Sequence, residues 1–290
     1  MIIVKLMGGL GNQLFQYALG RKIAYVHNVP LKLDIAWFEN SELRKYRLSH
    51  FNIVADIATP EDTTRLNEKN NIRGLMSRVV GRFQPYYKRS VVRERSLHFD
   101  PNILNVSGDA FLEGYWGSEK YFKDIEAIIR RELTVKTEPS AINRAMAERI
   151  SHVPAVSIHI RRGDFISNPI TQKFHGGCSL EYYNIAVEKM SKMIEEPHFF
   201  VFSDDPQWAL ENLKLRYPIT FVTHNSVDED YEDLRLMSLC KYHIIANSTF
   251  SWWGAWLSRA SDKIVYAPRY WLNDSSLDTS DVIPNGWIKI

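Results

Sequence analysis

Ile2–Leu6 is a short apolar run that ends in Gly8, Gly9 and Gly11. The following Asn12–His27 repeats apolar residues at helical spacing, through Leu14, Phe15, Ala18, Leu19 and Ile23. Leu31–Asp34 reads as a second strand, so the chain opens as strand, glycine-rich turn, helix and strand, the start of an α/β unit. Residues 40–110 carry many charges and no sustained period, and they predict no definite elements. Ser118 is placed to cap a helix over Glu119–Leu133, with Tyr121, Phe122, Ile125 and Ile128 as its apolar positions.

Polar Thr134–Pro139, ending in proline, is a candidate connection between domains, here 1–138 and 139–290. Beyond it the pattern sharpens. Strand-like runs at Ala155–Ile160, Phe199–Ser203, Ile219–Val222, His243–Ala246 and Lys263–Ala267 alternate with helical stretches at Leu180–Glu195, Pro206–Leu213, Asp230–Cys240 and Ser251–Ser258. Such alternation predicts a parallel sheet with helices on its faces.

Composition narrows the function classes. Of the 290 residues 45% are hydrophobic and 24% charged, an ordinary globular balance, and a formal net charge of +2 argues against nucleic acid as a partner. No stretch reaches membrane-spanning length and the N-terminal run is too short for a signal peptide, so the expected location is the cytoplasm. Cys178 and Cys240 match no metal or redox spacing and read as free thiols. Aromatic residues (8 Trp, 14 Tyr, 14 Phe) are mostly core material, though flat rings also suit the C–H faces of sugars.

Four segments carry chemistry. His159–Asp164 follows an apolar strand, where open α/β sheets bind ligands. Arg161 and Arg162 offer bidentate hydrogen bonds to phosphate, and Gly163 admits a close backbone approach. The plain alternative is a solvated rim in which the arginines pair with Asp164 and other carboxylates. Gly8–Gln13 places glycines at a helix N-terminus, which suits either an anion or simply a tight turn, and it is neither a dinucleotide fingerprint nor a P-loop. Asp233 and Ala246–Trp253 follow, with Ser248, Thr249 and Ser251 at a strand end and helix start. They serve as anion donors or as ordinary caps, while Trp252, Trp253 and Trp256 read chiefly as helix packing. Adjacent Asp204 and Asp205 suggest a metal, but Pro206 favours a helix cap.

Taken together, GGLGNQLFQYA (Gly8–Ala18), GYWGSEKYF (Gly114–Phe122), HIRRGDF (His159–Phe165), VFSDD (Val201–Asp205) and IIANSTFSWWGAWL (Ile244–Leu257) resemble the bacterial α-1,2-fucosyltransferases, family 11 of the glycosyltransferases. The resemblance implies a GT-B-like fold, two Rossmann-like halves facing across a cleft, with the acceptor on the N-terminal side. It implies inverting transfer of L-fucose from GDP-β-L-fucose to the 2-hydroxyl of a terminal galactose, with neither metal nor cofactor. By motif, Arg161 resembles the essential arginine on the β-phosphate. His159 and Asp233 resemble guanine-side contacts, Ser248 and Thr249 pyrophosphate donors, and Gly9, Gly11 and Asn12 the glycine-loop contribution; Arg162 joins the donor set.

Asp164 is a candidate base, and Asn12 a candidate for positioning the acceptor hydroxyl. Tyr115, Trp116 and the loop Phe165–Ser179 are candidates for holding the acceptor. A lipid-linked O-antigen repeat or another terminal galactoside would place the enzyme peripherally at the inner membrane face, without insertion. The competing readings are a transferase for another GDP-sugar or linkage, and a carbohydrate-binding module without catalysis. Oligomeric state is not specified.

Overall fold

Two parallel sheets organise the chain, each with buried apolar strands at its centre and short, more exposed strands at its edges. The computed structural model describes residues 1–71, 84–163, 172–174, 176–274 and 276–290. It divides into two units, Met1–Lys136 with Ser280–Val282, and Thr137–Thr279 with Ile283–Ile290.

In the first unit β1 (Ile2–Lys5), β2 (Leu31–Asp34), β3 (Asp56–Ile57), β4 (Val91–Arg93) and β5 (Ala110–Glu113) form an all-parallel sheet in the order β3-β2-β1-β5-β4. Helix α1 (Leu10–His27) starts two residues before the predicted Asn12. It ends where Asn28 takes a left-handed φ of 50° and returns its N–H to the carbonyls of Ala24 and Tyr25. α1 presses on β1 and β2 at Gly20, where an added Cβ would lie 2.3 Å from Val4 Cγ2 and 3.0 Å from Leu31 Cδ1. Strand side chains alternate, so Ile3 points to the other face, where it packs with Phe111 and with Leu66 of α2 (Pro60–Asn71).

The predicted helix Glu119–Leu133 is not continuous. Tight 3₁₀ turns at Glu119–Tyr121 and Lys123–Ile125 precede α3 (Glu126–Glu132). The change of pitch carries Ile129, rather than the expected Ile128, into the core. Ser118 caps only a 3₁₀ turn, accepting from Lys120 N at 3.4 Å, and its hydroxyl donates to Asp281 O at 2.7 Å. Asp281 belongs to the three late residues that return to this unit. Its buried carboxylate accepts from Phe99 N at 3.0 Å and pairs with Lys120 and His98.

In the second unit β6 (Ala155–Ile160), β7 (His198–Ser203), β8 (Ile219–Val222), β9 (Tyr242–Ile244), β10 (Val265–Ala267) and β11 (Ile288–Lys289) are also parallel. Their order is β11-β10-β9-β6-β7-β8. Val156, Ile158 and Ile160 face α5 (Leu180–Ser191) through Tyr183, Ala186, Val187 and Met190, and α6 (Pro206–Asn212) joins the same cluster through Ala209. Ala155, Phe200 and Phe202 face the opposite layer, formed by α4 (Ala141–Ser151) and α7 (Asp230–Leu239). All six residues of β6 are buried, as a central parallel strand requires. Helix α8 (Thr249–Leu257) begins earlier than the predicted Ser251 and buries Trp252, Trp253 and Trp256 in mutual contact, which is the packing reading of these rings. Cys178 and Cys240 are both free. No helix among the described residues is long and apolar enough to cross a membrane.

The contact at Gly20 gives a direct test. Gly20→Ala drives a methyl group into Val4 and Leu31, and overpacking of this kind costs about 1–3 kcal/mol. Gly117→Ala, whose added Cβ meets nothing within 4 Å, is the matched control. Thermal denaturation should show a lowered Tm for the first variant and an unchanged Tm for the second.

Candidate functional site

The second sheet changes direction at β6. The chain builds outward from β6 to β7 and β8, then crosses back to lay β9, β10 and β11 on the other side. Where neighbouring strands send their connections in opposite directions, a crevice opens beyond their carboxyl ends. β6 delivers Arg161–Gly163 to that point and β9 delivers Ile245–Ser248.

Arg161 is held from the adjacent strand. Its Nη1 lies 2.7 Å from Asp204 Oδ2, and the backbone N–H of Arg162 donates to Asp204 Oδ1 at 2.8 Å. One carboxylate therefore fixes both the guanidinium and the turn that carries it. An added Cβ on Gly163 would sit 2.5 Å from Asp204 Oδ2, so this glycine is required for the close approach. The Arg162 guanidinium stacks 3.8 Å from the Trp208 ring centroid, with Nε 3.3 Å from Asp205 Oδ2. Asp205 also caps α6, accepting from Trp208 N at 3.2 Å, with Pro206 in the first turn. The paired acids thus serve the arginines and the cap. Among the described residues no group of three or more His, Cys, Asp or Glu is placed to hold a metal ion.

Ser248 occupies the cap position of α8 but makes no capping hydrogen bond with its side chain. Ser251 instead turns its hydroxyl back to the carbonyls of Ala246 (3.2 Å) and Ser248 (3.1 Å). A helix start whose cap residue makes no side-chain cap bond, at the same sheet edge as Arg161, is suited to an anion. Two tyrosines of α5 pin the strand ends that frame it. Tyr183 donates to His159 O at 3.1 Å and Tyr182 to Ile245 O at 2.6 Å. His159 is buried against Phe250, and its Nδ1 has no partner among the described residues. Burial, reinforced by the charge of Arg161, lowers its pKa to about 3, so the imidazole is neutral near pH 7.

Asp233 stands in the first turn of α7, which starts at the same carboxyl edge. It is half-buried, and its Oδ1 accepts from Asn225 Nδ2 at 2.7 Å. Burial raises its pKa to about 7, opposed by the Asn225 hydrogen bond and assisted by Asp230, Glu232 and Glu229.

The first sheet has its own change of direction, between β1 and β5. Gly8, with a φ of 80°, and Gly9, at the start of α1, follow β1; Gly114–Trp116 follow β5. The Gln16 amide ties these loops together, accepting from Met7 N and donating to Gly114 O, both at 3.0 Å. Gln13 braces Gly8 O at 3.1 Å and Lys45 O at 2.9 Å. Asn12 packs its side chain beneath Gly8, within 2.5 Å of where a Cβ would be. Glu94 accepts from Tyr115 N at 2.7 Å and Trp116 N at 2.9 Å, and burial raises its pKa against these two bonds.

Tyr115 is 43% exposed whereas Trp116, at a left-handed φ of 58°, is 1% exposed. The Trp116 ring is turned inward and packs edge-on to Tyr121 at 6.0 Å. Asp164, Phe165 and residues 166–171 and 175 lie outside the described residues. Asp204, Glu94, Gln13, Gln16 and Asn225 were not foreseen in these roles. Gln13 and Gln16, fully buried on a helix of apolar rhythm, carried the clearest overlooked signal.

Residues 82–290 match the family described as Glycosyl transferase family 11. The chain is 33% identical to an Escherichia coli alpha-1,2-colitosyltransferase over 100% of its own length and 98% of that protein. It is 33% identical to the E. coli O-antigen biosynthesis glycosyltransferase WbnK, over 98% of this chain and 99% of that one. Over 58% of this chain and 48% of the relative it is 29% identical to galactoside alpha-(1,2)-fucosyltransferase 1 of Gorilla gorilla gorilla. Among solved structures, a mutant of Arabidopsis thaliana FUT1 in complex with GDP aligns at a TM-score of 0.51 and 13% identity, covering 93% of this chain and 71% of that chain. That likeness is one of fold, GT-B-like, with two parallel-sheet α/β halves.

The raised pKa of Asp233 makes it a cost to stability. With the folded pKa near 7 and the unfolded value near 3.8, the folded chain retains a proton that the unfolded chain releases. Stability from this group is full below about pH 4 and is lost as pH rises through 7. Asp233→Asn should therefore raise Tm at pH 8 by at least about 2 °C, the effect of roughly 1 kcal/mol in a domain of this size. Near pH 4 the two proteins should melt together; equal Tm values at both pH values would contradict the assignment.

Proposed function

Because the chain belongs to glycosyl transferase family 11, it is a glycosyltransferase, and we propose that it moves L-fucose from GDP-β-L-fucose to the 2-hydroxyl of a terminal galactose, inverting the anomeric centre without a metal. The observation that carries this reading is the meeting of Arg161, the α8 start at Ser248 and Thr249, and Asp233 along one sheet edge. A cation and a helix N-terminus suit a diphosphate. An ionised carboxylate accepts from the two donors of guanine, N1–H and N2–H₂. The linkage and the galactose follow the relatives, whose names specify alpha-1,2 transfer and a galactoside.

In this mechanism the acceptor hydroxyl attacks the fucose anomeric carbon as the bond to the β-phosphate breaks, and negative charge collects on the departing GDP. Arg161, preset by Asp204, meets that charge without reorganising. Thr249 and Ser248 donate to the diphosphate, the neutral His159 lies on the guanine side, and Arg162 supports the turn while stacked on Trp208. Gly9, Gly11 and Asn12 complete the donor set. The first half takes the acceptor, with Tyr115 as its exposed aromatic platform and Trp116 holding the turn. Asp164 is the candidate base. A lipid-linked O-antigen repeat is the natural class of acceptor, in line with the O-antigen relative. The enzyme would then work peripherally at the inner membrane face.

A second donor is favoured by one observation, the full-length likeness to a colitosyltransferase. Colitose is L-fucose without its 3-hydroxyl. A site built to bond that hydroxyl rejects the deoxy sugar by as much as about 10⁴–10⁵, so competition between GDP-fucose and GDP-colitose separates the two readings.

Incubation with GDP-fucose and a panel of β-galactosides in EDTA, followed by linkage analysis, tests the proposal: an α-1,2-fucosyl product is expected. Activity lost in EDTA and restored by Mn²⁺ would overturn the metal-free mechanism. Arg161→Ala should lower kcat by about 10²–10³ with an unchanged circular-dichroism spectrum, and a variant keeping more than about a tenth of kcat would refute this role for Arg161.

A further inference from the structure

Asp233 ends a line of polar side chains drawn, with its own helix, from three separate segments. Asn225, in the loop after β8, donates from Nδ2 to Asp233 Oδ1 at 2.7 Å. Asn143, in the first turn of α4, donates from Nδ2 to Asn225 Oδ1 at 2.8 Å. His224 Nε2 lies 2.8 Å from Asn143 Oδ1. All three segments reach the carboxyl edge of the second sheet, since α4 leads into β6 while the other two follow β8.

The orientations follow from donor and acceptor capacity. An ionised carboxylate only accepts, so Asn225 must turn its NH₂ group toward Asp233. Its Oδ1 then faces Asn143, which must present its own NH₂ group. The Asn143 oxygen is left facing His224, whose Nε2 must therefore carry the proton. Every member donates toward Asp233, so the ionised form of that carboxylate selects one arrangement throughout. Asn143 is 2% exposed, so its amide is engaged from within the protein rather than by solvent. Among the described residues, Asp233 takes its one hydrogen bond on Oδ1, with lone pairs of both oxygens open to further donors.

We propose that Asn225, aligned by Asn143 and His224, is a positioning residue that sets the Asp233 carboxylate for two-point recognition of guanine and so determines the base selectivity of the nucleotide site. This rests on the reading of Asp233 as the guanine carboxylate. A carboxylate held in one rotation can meet N1–H and N2–H₂ together, whereas one that rotates freely keeps only a single contact. Hypoxanthine has N1–H but no 2-amino group, so the ratio of GDP to IDP affinity reads out the second contact alone.

Isothermal titration of the full chain with GDP and IDP tests the proposal without any acceptor. Wild type should prefer GDP by roughly ten- to a hundredfold, the value of one hydrogen bond to a charged group. Asn225→Leu removes the donor at similar size and should bring the ratio to within about threefold of unity, mainly through weaker GDP binding. Asn225→Ser, too short to span the gap, gives the same readout should the leucine variant fail to fold. Equal weakening of GDP and IDP would mean a merely structural asparagine and would overturn the proposal, as would an unchanged ratio. Asp233→Asn separates the two levels. If it abolishes the preference while Asn225→Leu does not, the guanine carboxylate stands and the positioning role falls. If it leaves the preference intact, the reading of Asp233 falls and the proposal with it.

Discussion

In a parallel sheet every strand delivers its carboxyl end to the same edge, and β6 is the strand from which the second sheet grows both ways. That arrangement compels the segments after β6 and β9 to diverge, leaving a crevice edged by backbone that no neighbouring strand covers. The features proposed for the donor lie along this edge: the arginines after β6, the start of α8 after β9, and the first turn of α7. The burial of β6 on both faces makes the frame stiff. The layers of α5 and α6 on one side, and α4 and α7 on the other, hold the strand ends in register.

On that frame opposite charges are used in two different ways. Asp204 lends its charge to Arg161 and its second oxygen to the Arg162 amide, so a cation is fixed before any ligand arrives. Among the described residues Asp233 forms no ion pair with a cation, and it is flanked by Asp230, Glu232 and Glu229, which raise rather than lower its pKa. An acid so placed opposes folding when ionised, an effect that the Asn225 hydrogen bond offsets only in part; under the proposed function a ligand that brings donors would offset more of it. On that reading, stability and recognition would pull on the same side chain in opposite directions.

How much of this was legible in the sequence depended on whether a residue's role was local. Ala155–Ile160 read correctly as a buried strand because all six residues are enclosed and the run is continuous. The described part of the stretch between residues 40 and 110 gave no pattern because β3 and β4 are two or three residues long, 3₁₀ turns flank β4, and α2 is almost wholly polar, with Leu66 as its buried apolar residue. Helix α4 escaped notice because most of its surface is exposed and polar, leaving Ile150 and Asn143 as its buried residues. In the site, the adjacent arginines and the strand-end position were visible, and pairing with carboxylates was weighed. That Asp204 would be the partner requires the β6–β7 register, which places Ile160 opposite Ser203. The Asn143–Asn225 contact spans 82 residues between two amides of a type common in turns, so nothing local marks it.

The return of Ser280–Val282 to the first unit bears on how such proteins are recombined. The chain passes from one unit to the other at Lys136–Thr137, again at Thr279–Ser280 and once more at Val282–Ile283. Asp281 is a buried acceptor for Phe99 N and a partner of Lys120 and His98, and its carbonyl accepts from Ser118. A chimaera that joined residues 1–136 of this chain to the second half of a relative would carry a foreign residue into that nest of donors. A domain swap here must transplant a discontinuous module, with the tripeptide Ser280–Val282 travelling with the first half.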